Sequence, residues 1–231
     1  MRSIGWALAL FAAAACAATS GEVHRWIDAD GRVHYGDKPP PGAAAKQVAV
    51  PTPARQKPGP DVKVEEPVIR PYDISGTTLA ELNAAAQRFG PVSKATGARV
   101  WGMCTWRVTW NFSRGGGEGN CRIEKFTITV GATLSLPRWT NRDAAAESVR
   151  SSWDRFAAAL RLHEDGHKDI GVRAANDLAS RLSTLPAEKA CAELDRKVVA
   201  LGDAVLSEYR RLDQAYDRST DNGATQGATL K

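Results

Sequence analysis

The stretch Leu162-His163-Glu164-Asp165-Gly166-His167 contains two histidines that continue a stripe of apolar residues at helical spacing. The members of this stripe are Trp153, Phe156, Leu160, His163, His167, Ile170, Ala174 and Leu178. A stripe with this period predicts an amphipathic helix that turns both histidines toward the packed side of the domain. We predict that this helix begins at about Asp143 or Ser151 and ends at Leu182.

The spacing of the two histidines indicates a metal site. Residues four apart on a helix have neighbouring side chains, so His163 and His167 could both bind one tetrahedral zinc ion. Glu164 follows the first histidine, where its carboxylate could take a proton from water and later deliver it to a leaving amine. The motif therefore predicts a zinc-dependent hydrolase with Glu164 as general base. The alternative is that both histidines are core residues that donate to backbone carbonyls.

The composition narrows the class of protein. Of the 231 residues, 43% are hydrophobic and 25% are charged, which supports a packed core and excludes a wholly disordered chain. The 4 histidines are too few for a histidine-rich metal store. The formal charge of +5 comes from basic residues that are interleaved with acidic ones, so we expect no nucleic-acid partner.

The first twenty residues have the features of a secretory signal peptide. Arg2 precedes an apolar run over residues 4–15, and small residues follow over residues 13–20. The run is too short to span a bilayer, so we expect no transmembrane segment in the mature chain. This predicts a periplasmic or secreted protein. Cys16 follows three alanines, and its lipidation is an alternative that would anchor the mature chain.

Three segments follow the predicted signal peptide. Residues 21–37 alternate apolar and polar side chains around Asp30-Gly31, which predicts a small β-hairpin module. Residues 38–70 hold most of the prolines and lack apolar periodicity, which is typical of an extended linker. Residues 71–231 are numerous enough for one folded domain.

The segment 71–231 combines the patterns of strands and helices. Thr78 and Glu81 form a capping box that begins a short helix. Apolar and polar residues alternate over residues 103–112, which predicts a strand, and a glycine-rich loop separates it from a second strand over residues 121–136.

The second strand changes its apolar phase near Glu124-Lys125, which predicts a β-bulge, and we expect the strand to end at Pro137. A last helix is expected from about Pro186 to Arg218. These elements predict an α+β fold, in which a long antiparallel β-hairpin or sheet packs against the helix of the two histidines and a further long C-terminal helix.

Three cysteines remain if Cys16 is removed, which allows one intramolecular bridge. If the hairpin turns near Gly116, Cys104 lies several strand residues beyond the reach of Cys121. Cys104 also lies on the apolar face of its strand, where a buried thiol is common. A disulfide between Cys121 and Cys191 is therefore favoured, and it would tie the sheet to the last helix.

The predicted hairpin resembles a short envelope module, domain of unknown function 4124 (DUF4124). Its pattern is an aromatic strand, a D-x-D-G turn and a V-x-Y strand. The matching residues are Trp26, Asp28, Asp30, Gly31, Val33, Tyr35, Pro39 and Pro40. This resemblance implies secretion and no known chemistry.

Residues 72–227 resemble a bacterial family, domain of unknown function 922 (DUF922), whose members are often labelled secreted zinc-dependent proteases. The matches are Tyr72-x-x-Ser75-Gly76-Thr77-Thr78, Gly90-Pro91, Thr105-Trp106-x-Val108-x-Trp110, Cys121, Leu136-Pro137-x-Trp139, Trp153-x-x-Phe156, His163-Glu164-x-Gly166-His167 and Tyr216-Asp217-x-x-Thr220. The resemblance implies a zincin-like domain, one zinc ion on His163 and His167, and hydrolysis of a peptide or protein substrate in the cell envelope.

The sequence departs from the family pattern where a third histidine ligand is expected. The pattern has His-Gly shortly after Tyr-Asp-x-x-Thr, whereas this chain has Asn222 before Gly223. An oxygen ligand could substitute and bind zinc weakly. The candidates are Asn222, Asp221, Asp217, Glu188, Glu193 and Glu208.

Two other readings of the missing histidine stay open. The site could be degenerate, in a non-catalytic envelope protein that binds partners or serves a structural role. Alternatively, His24 or His34 of the N-terminal hairpin could supply the third ligand.

Overall fold

The computed structural model describes residues 23–27, 33–36, 41–42, 44, 46–48, 59, 61–94 and 96–231. The predicted signal peptide and Cys16 lie outside these residues. The contacts divide the chain into two units, Met1–Val48 and Ala49–Lys231. Among the described residues, none of the helices has the length and apolar character needed to cross a membrane.

The described residues of the first unit form three short antiparallel strands in the order β2-β1-β3. They are β1 (Val23–Ile27), β2 (Val33–Gly36) and β3 (Lys46–Val48). The first two pair across the predicted turn, with Arg25 opposite Tyr35. The third strand lies in the segment expected to be a linker and pairs with the other edge of β1. A two-stranded hairpin alone is marginally stable, so a third strand is a physically reasonable addition.

The second unit contains four strands and three helices among its described residues. The strands are β4 (Val62–Val64), β5 (Val68–Ile74), β6 (Met103–Gly115) and β7 (Arg122–Trp139). The helices are α1 (Leu79–Phe89), α2 (Glu147–Ser183) and α3 (Cys191–Thr220). The fold therefore mixes strands and helices, with the two longest helices near the C-terminus.

β7 is the central strand of the second sheet. β6 pairs with it in the antiparallel direction, and β4 and β5 pair with it in the parallel direction. Ile128 lies opposite Trp110 of β6 and also opposite Val62 of β4, so β7 lies between them. The β6–β7 register shifts at Ser113/Arg114 and leaves Glu124 unpaired, which is where the sequence predicted a bulge.

The sheet differs from the expected hairpin in two ways. Residues 62–64 and 68–70 were expected to be linker, but they form β4 and the start of β5. Their parallel partner, β7, is some 65 residues away along the chain, so no local pattern in the sequence predicts the pairing. β7 also continues through Pro137 to Trp139. Since β6 pairs with β7 only as far as Ser135, one edge of β7 is no longer paired at Pro137, and a missing N–H is tolerated there.

The helix ends follow local chemistry. Thr78 caps α1, where its Oγ1 accepts from Glu81 N at 3.2 Å and its own N–H donates to Glu81 Oε2 at 3.2 Å. α2 begins at Glu147, between the two predicted starts. α3 begins at Cys191, later than the predicted Pro186, because Glu188 exchanges two backbone hydrogen bonds with Cys121 and holds the preceding residues in an extended conformation.

A disulfide joins Cys121, just before β7, to Cys191, the first residue of α3. Cys104 carries a free thiol. Within the described part of the chain, the buried apolar residues form two clusters. One lies between the sheet and the α2–α3 pair, around Ile128, Leu178 and Val198. The other surrounds Trp153 and Phe156 near the beginning of α2. On α2, residues 163–167 lie between the residues that pack in the second cluster and those that pack in the first.

Candidate metal centre

The two histidines are buried on the inner face of α2. Every residue of the stripe from Trp153 to Leu178 that the sequence predicted to face inward is buried. His163 and His167 are 4% and 6% exposed. Two imidazoles that are removed from water in this way need polar partners, because an unpaired buried nitrogen is costly. The partners come from α3 and the segment that follows it.

The carboxylate of Asp217, on α3, contacts both imidazoles. The Nε2 atoms of His163 and His167 are 3.2 Å apart. Asp217 Oδ1 is 3.3 Å from the Nε2 of His163 and 2.9 Å from the Nε2 of His167. Together these three side chains form a group that could hold a metal ion.

The other ring nitrogens bind oxygen atoms that orient the imidazoles. Nδ1 of His167 is 2.9 Å from Oδ1 of Asp213, which also accepts from Trp106 Nε1 at 3.1 Å. Nδ1 of His163 is 2.9 Å from Oε1 of Gln226. An ionised carboxylate can only accept, so the Nδ1 of His167 carries a hydrogen. With each Nδ1 occupied, each Nε2 is directed at Asp217 and at the other Nε2.

The charges at the site shift the pKa values of His167 and Asp217. Burial alone would lower the pKa of His167, but its hydrogen bonds to Asp213 and Asp217 outweigh burial and raise this pKa to about 10. Burial alone would raise the pKa of Asp217, but the close contacts of its carboxylate with the imidazoles of His163 and His167 hold this pKa well below its usual value. At neutral pH the carboxylates of Asp213 and Asp217 therefore favour the protonated form of His167.

The distances between the three ligand atoms are short enough for them to hold one metal ion, for which zinc provides a reference geometry. Zinc lies about 2.0–2.1 Å from histidine nitrogens and carboxylate oxygens, so tetrahedral ligand atoms are about 3.3 Å apart. The three separations here are 3.2, 3.3 and 2.9 Å. Histidine ligands also usually donate their second N–H to a carboxylate or carbonyl oxygen, as both imidazoles can do here. The donor set and its supports therefore suit a metal ion.

Glu164 lies beside this cluster, with its side chain against β6. The residue is 3% exposed and accepts a hydrogen bond from the backbone N–H of Cys104. The lack of a side chain at Gly102 leaves room for it, since a Cβ there would be 2.4 Å from Glu164 Oε1. Burial raises the pKa of Glu164 to about 7, against the opposing effect of His167 and His163. A carboxyl group with this pKa can exchange protons near neutral pH.

The other predicted oxygen ligands lie elsewhere. Asp221 and Asn222 are exposed in the left-handed turn that follows α3. Three glutamates of the α3 region bind cations outside the cluster. These pairs are Glu188 with Lys197, Glu193 with Arg196 and Glu208 with Arg181. Of the carboxylates that the sequence offered, Asp217 is the one that reaches both imidazoles. The side chains of His24 and His34 are outside the described part of the chain.

Asp213 and Gln226 were not predicted from the sequence. Their side-chain oxygens lie 2.9 Å from Nδ1 of His167 and of His163, respectively. Asp213, Asp217 and Thr220 follow one another at helical spacing, and this pattern could have predicted that one face of α3 turns toward α2. Gln226 lies after α3 in a segment without periodicity, so no pattern in the sequence indicated its role.

Comparisons with known proteins match two family models. The model described as "Bacterial protein of unknown function (DUF922)" matches residues 69–224. The model described as "Domain of unknown function (DUF4124)" matches residues 8–62. No curated protein and no solved structure matches the chain.

Proposed function

The chain belongs to the bacterial DUF922 family, and from this premise and the geometry around His163 we propose that it is an exported zinc metallopeptidase. The observation that carries the proposal is the convergence of two Nε2 atoms and the Asp217 carboxylate within 3.3 Å of one another. Glu164, whose pKa is raised to about 7, adds a proton-exchanging group at the same place.

Each side chain has a defined task in this proposal. A bound zinc ion would act as a Lewis acid that polarises a carbonyl group and lowers the pKa of water. His163, His167 and Asp217 would hold the ion, and Asp213 would orient His167. Glu164 would accept a proton from the attacking water and donate it to the leaving amine as the peptide bond breaks.

The predicted signal peptide supports a location in the cell envelope or outside the cell. The signal peptide predicted over residues 1–20 would export the chain to the periplasm or beyond, where the Cys121–Cys191 disulfide can persist. The substrate class would then be a peptide or protein of the cell envelope. Lipidation of Cys16 would retain the enzyme at a membrane surface.

One observation favours a second candidate, a non-catalytic envelope protein. Both nitrogens of His167 already have carboxylate partners, Asp213 at 2.9 Å and Asp217 at 2.9 Å. A protonated His167 could therefore join α2 to α3 through ion pairs alone. In that case the two histidines would contribute to stability and not to chemistry.

Metal content tests the proposal. The mature chain, dialysed against trace zinc and then metal-free buffer, is expected to retain about one zinc ion per molecule. His167→Ala removes one ligand and is expected to weaken zinc binding by more than about 100-fold, because losing a ligand should cost more than losing an outer partner. Elemental analysis and a competition titration with a chromophoric chelator measure both values.

Asp165→Asn is the matched control for the metal test. Asp165 lies in the same turn of α2, but its carboxylate binds Arg161 and Lys168 at the surface. Its zinc content should equal that of the wild type. A wild-type protein without zinc, or a His167→Ala protein that binds zinc normally, would contradict the metallopeptidase and favour the non-catalytic candidate.

Zinc binding should also release a proton. The pKa of His167 is raised to about 10, so at pH 7 its Nε2 carries a hydrogen that a metal must displace. The apparent affinity is therefore expected to rise by about tenfold per pH unit from pH 7 toward pH 10. Calorimetric titrations in two buffers of different ionisation enthalpy measure the number of protons released.

Asp213→Asn provides the comparison for proton release. The hydrogen bond to Asp213 is the leading contribution that raises the pKa of His167. Its neutral replacement should lower this pKa, reduce the proton release at pH 7 and flatten the pH dependence of the affinity. Equal proton release from both proteins would show that Asp213 does not hold the charge on His167.

A further inference from the structure

The segment 223–230, which follows α3, packs against α2 beside His163. It forms a short turn of 3-10 helix over Ala224–Gln226. Farther along, Ala228 and Leu230 pack against the apolar cluster around Trp153 and Phe156. We call residues 223–230 the C-terminal segment. Its side chains reach both the hydrophobic core and the candidate metal centre.

Gln226 closes a ring of hydrogen bonds with His163 and Tyr216. Its Oε1 is 2.9 Å from Nδ1 of His163, and its Nε2 donates to the hydroxyl of Tyr216 at 3.0 Å. The hydrogen of that hydroxyl has two acceptors within reach, the backbone carbonyl of His163 at 3.4 Å and Oε1 of Gln226 at 3.2 Å. An amide has one donor end and one acceptor end. With Oε1 of Gln226 facing His163, as in this structure, the ring closes only if Nδ1 of His163 carries the hydrogen.

The aromatic ring of Tyr216 holds the same imidazole from one face. The two rings are stacked, with centroids 5.1 Å apart and planes 16° apart. Gly166 makes this contact possible, because a Cβ at that position would lie 2.2 Å from the Tyr216 hydroxyl. A tyrosine hydroxyl is both a donor and an acceptor, so that of Tyr216 can accept from Gln226 Nε2 and donate its own hydrogen, which completes the ring of hydrogen bonds.

We propose that Gln226 is a positioning residue of the metal centre. It fixes His163 in the tautomer that is protonated at Nδ1, and so directs the lone pair of Nε2 toward His167 and Asp217. The centre is therefore assembled from α2, α3 and the C-terminal segment. The effect on metal affinity rests on the metal centre proposed above, whereas the effect on the tautomer does not.

Nuclear magnetic resonance tests the tautomer in the metal-free protein. Long-range ¹H–¹⁵N spectra at pH 8 distinguish an imidazole that is protonated at Nδ1 from one that is protonated at Nε2. His163 of the wild type should be protonated at Nδ1. Gln226→Met keeps the length of the side chain but removes the amide, and it should shift His163 toward the Nε2 tautomer. Gln226→Glu retains an acceptor oxygen and should keep the wild-type tautomer.

Metal affinity provides the second measurement. Gln226→Met should weaken Co²⁺ or Zn²⁺ binding by about 10- to 100-fold, the usual effect of losing an outer partner of a histidine ligand. It should also alter the electronic spectrum of bound Co²⁺, which a general loss of stability would leave unchanged. Gln226→Glu should restore both the affinity and the spectrum. Thr229→Ala, in the same segment and exposed, is the control and should match the wild type.

Negative results of the two measurements contradict different proposals. If the wild type binds neither metal ion, the proposed metallopeptidase is wrong, and the spectra of the metal-free protein alone decide the role of Gln226. If Gln226→Met leaves the tautomer of His163 unchanged, Gln226 is not a positioning residue, whatever the metal content. A glutamate variant as defective as the methionine variant would also overturn the proposal, because it keeps the acceptor oxygen.

Discussion

Glu164→Gln is expected to reduce peptide hydrolysis by the zinc-loaded protein by about 100- to 10,000-fold, the usual contribution of a general acid–base group. Glutamine has the same shape and can still accept the hydrogen bond from Cys104 N that Glu164 accepts. It cannot, however, take a proton from water. The loss should therefore appear in kcat, while the zinc content stays at the wild-type value.

The measurement needs a broad probe, because the natural substrate is unidentified. A library of quenched fluorescent peptides, assayed with each zinc-loaded protein, reports hydrolysis without assuming a sequence. Asp165→Asn removes the neighbouring carboxylate, which pairs with Arg161 and Lys168 at the surface, and it should retain the wild-type rate. Equal rates for Glu164→Gln and the wild type would remove Glu164 from the reaction. No cleavage by the wild type would favour the non-catalytic candidate.

Local periodicity predicted the part of the site that α2 carries. The spacing from Trp153 to Leu178 predicted that both histidines are buried, as they are in the structure. It succeeded because a helix repeats every 3.6 residues, so a stripe of apolar residues shows directly which face is covered. The capping box at Thr78 and the bulge at Glu124 were also predictable, since each depends on neighbours within a few residues.

The remaining parts of the site depend on packing between distant elements. Asp217 was one of several carboxylates near the end of α3, and the sequence alone could not choose among them. The choice follows from the way α3 packs on α2, which places Tyr216 against Gly166 and so sets the rotation of α3. The parallel pairing of β4 and β5 with β7 was missed for a related reason, because its partners are far apart in sequence.

Removal of the Cys121–Cys191 disulfide is expected to lower the free energy of unfolding by about 4 kcal/mol. The two cysteines are 70 residues apart, and a cross-link across a loop of that length restricts the unfolded chain strongly. The bond also fixes the first residue of α3 beside the start of β7. Since α3 carries Asp213 and Asp217, the disulfide helps to hold the helix that completes the candidate metal centre.

A double variant, Cys121→Ser with Cys191→Ser, isolates this contribution. Urea unfolding of the wild type with and without reductant should give two midpoints, and the double variant should unfold near the lower midpoint under both conditions. Reductant should not affect the double variant, because Cys104 is a free thiol. A loss of less than about 1 kcal/mol would mean that the contacts between α3 and the sheet hold the helix without the bond. Zinc affinity measured in the same samples then shows whether the position of Asp217 depends on the disulfide or on those contacts alone.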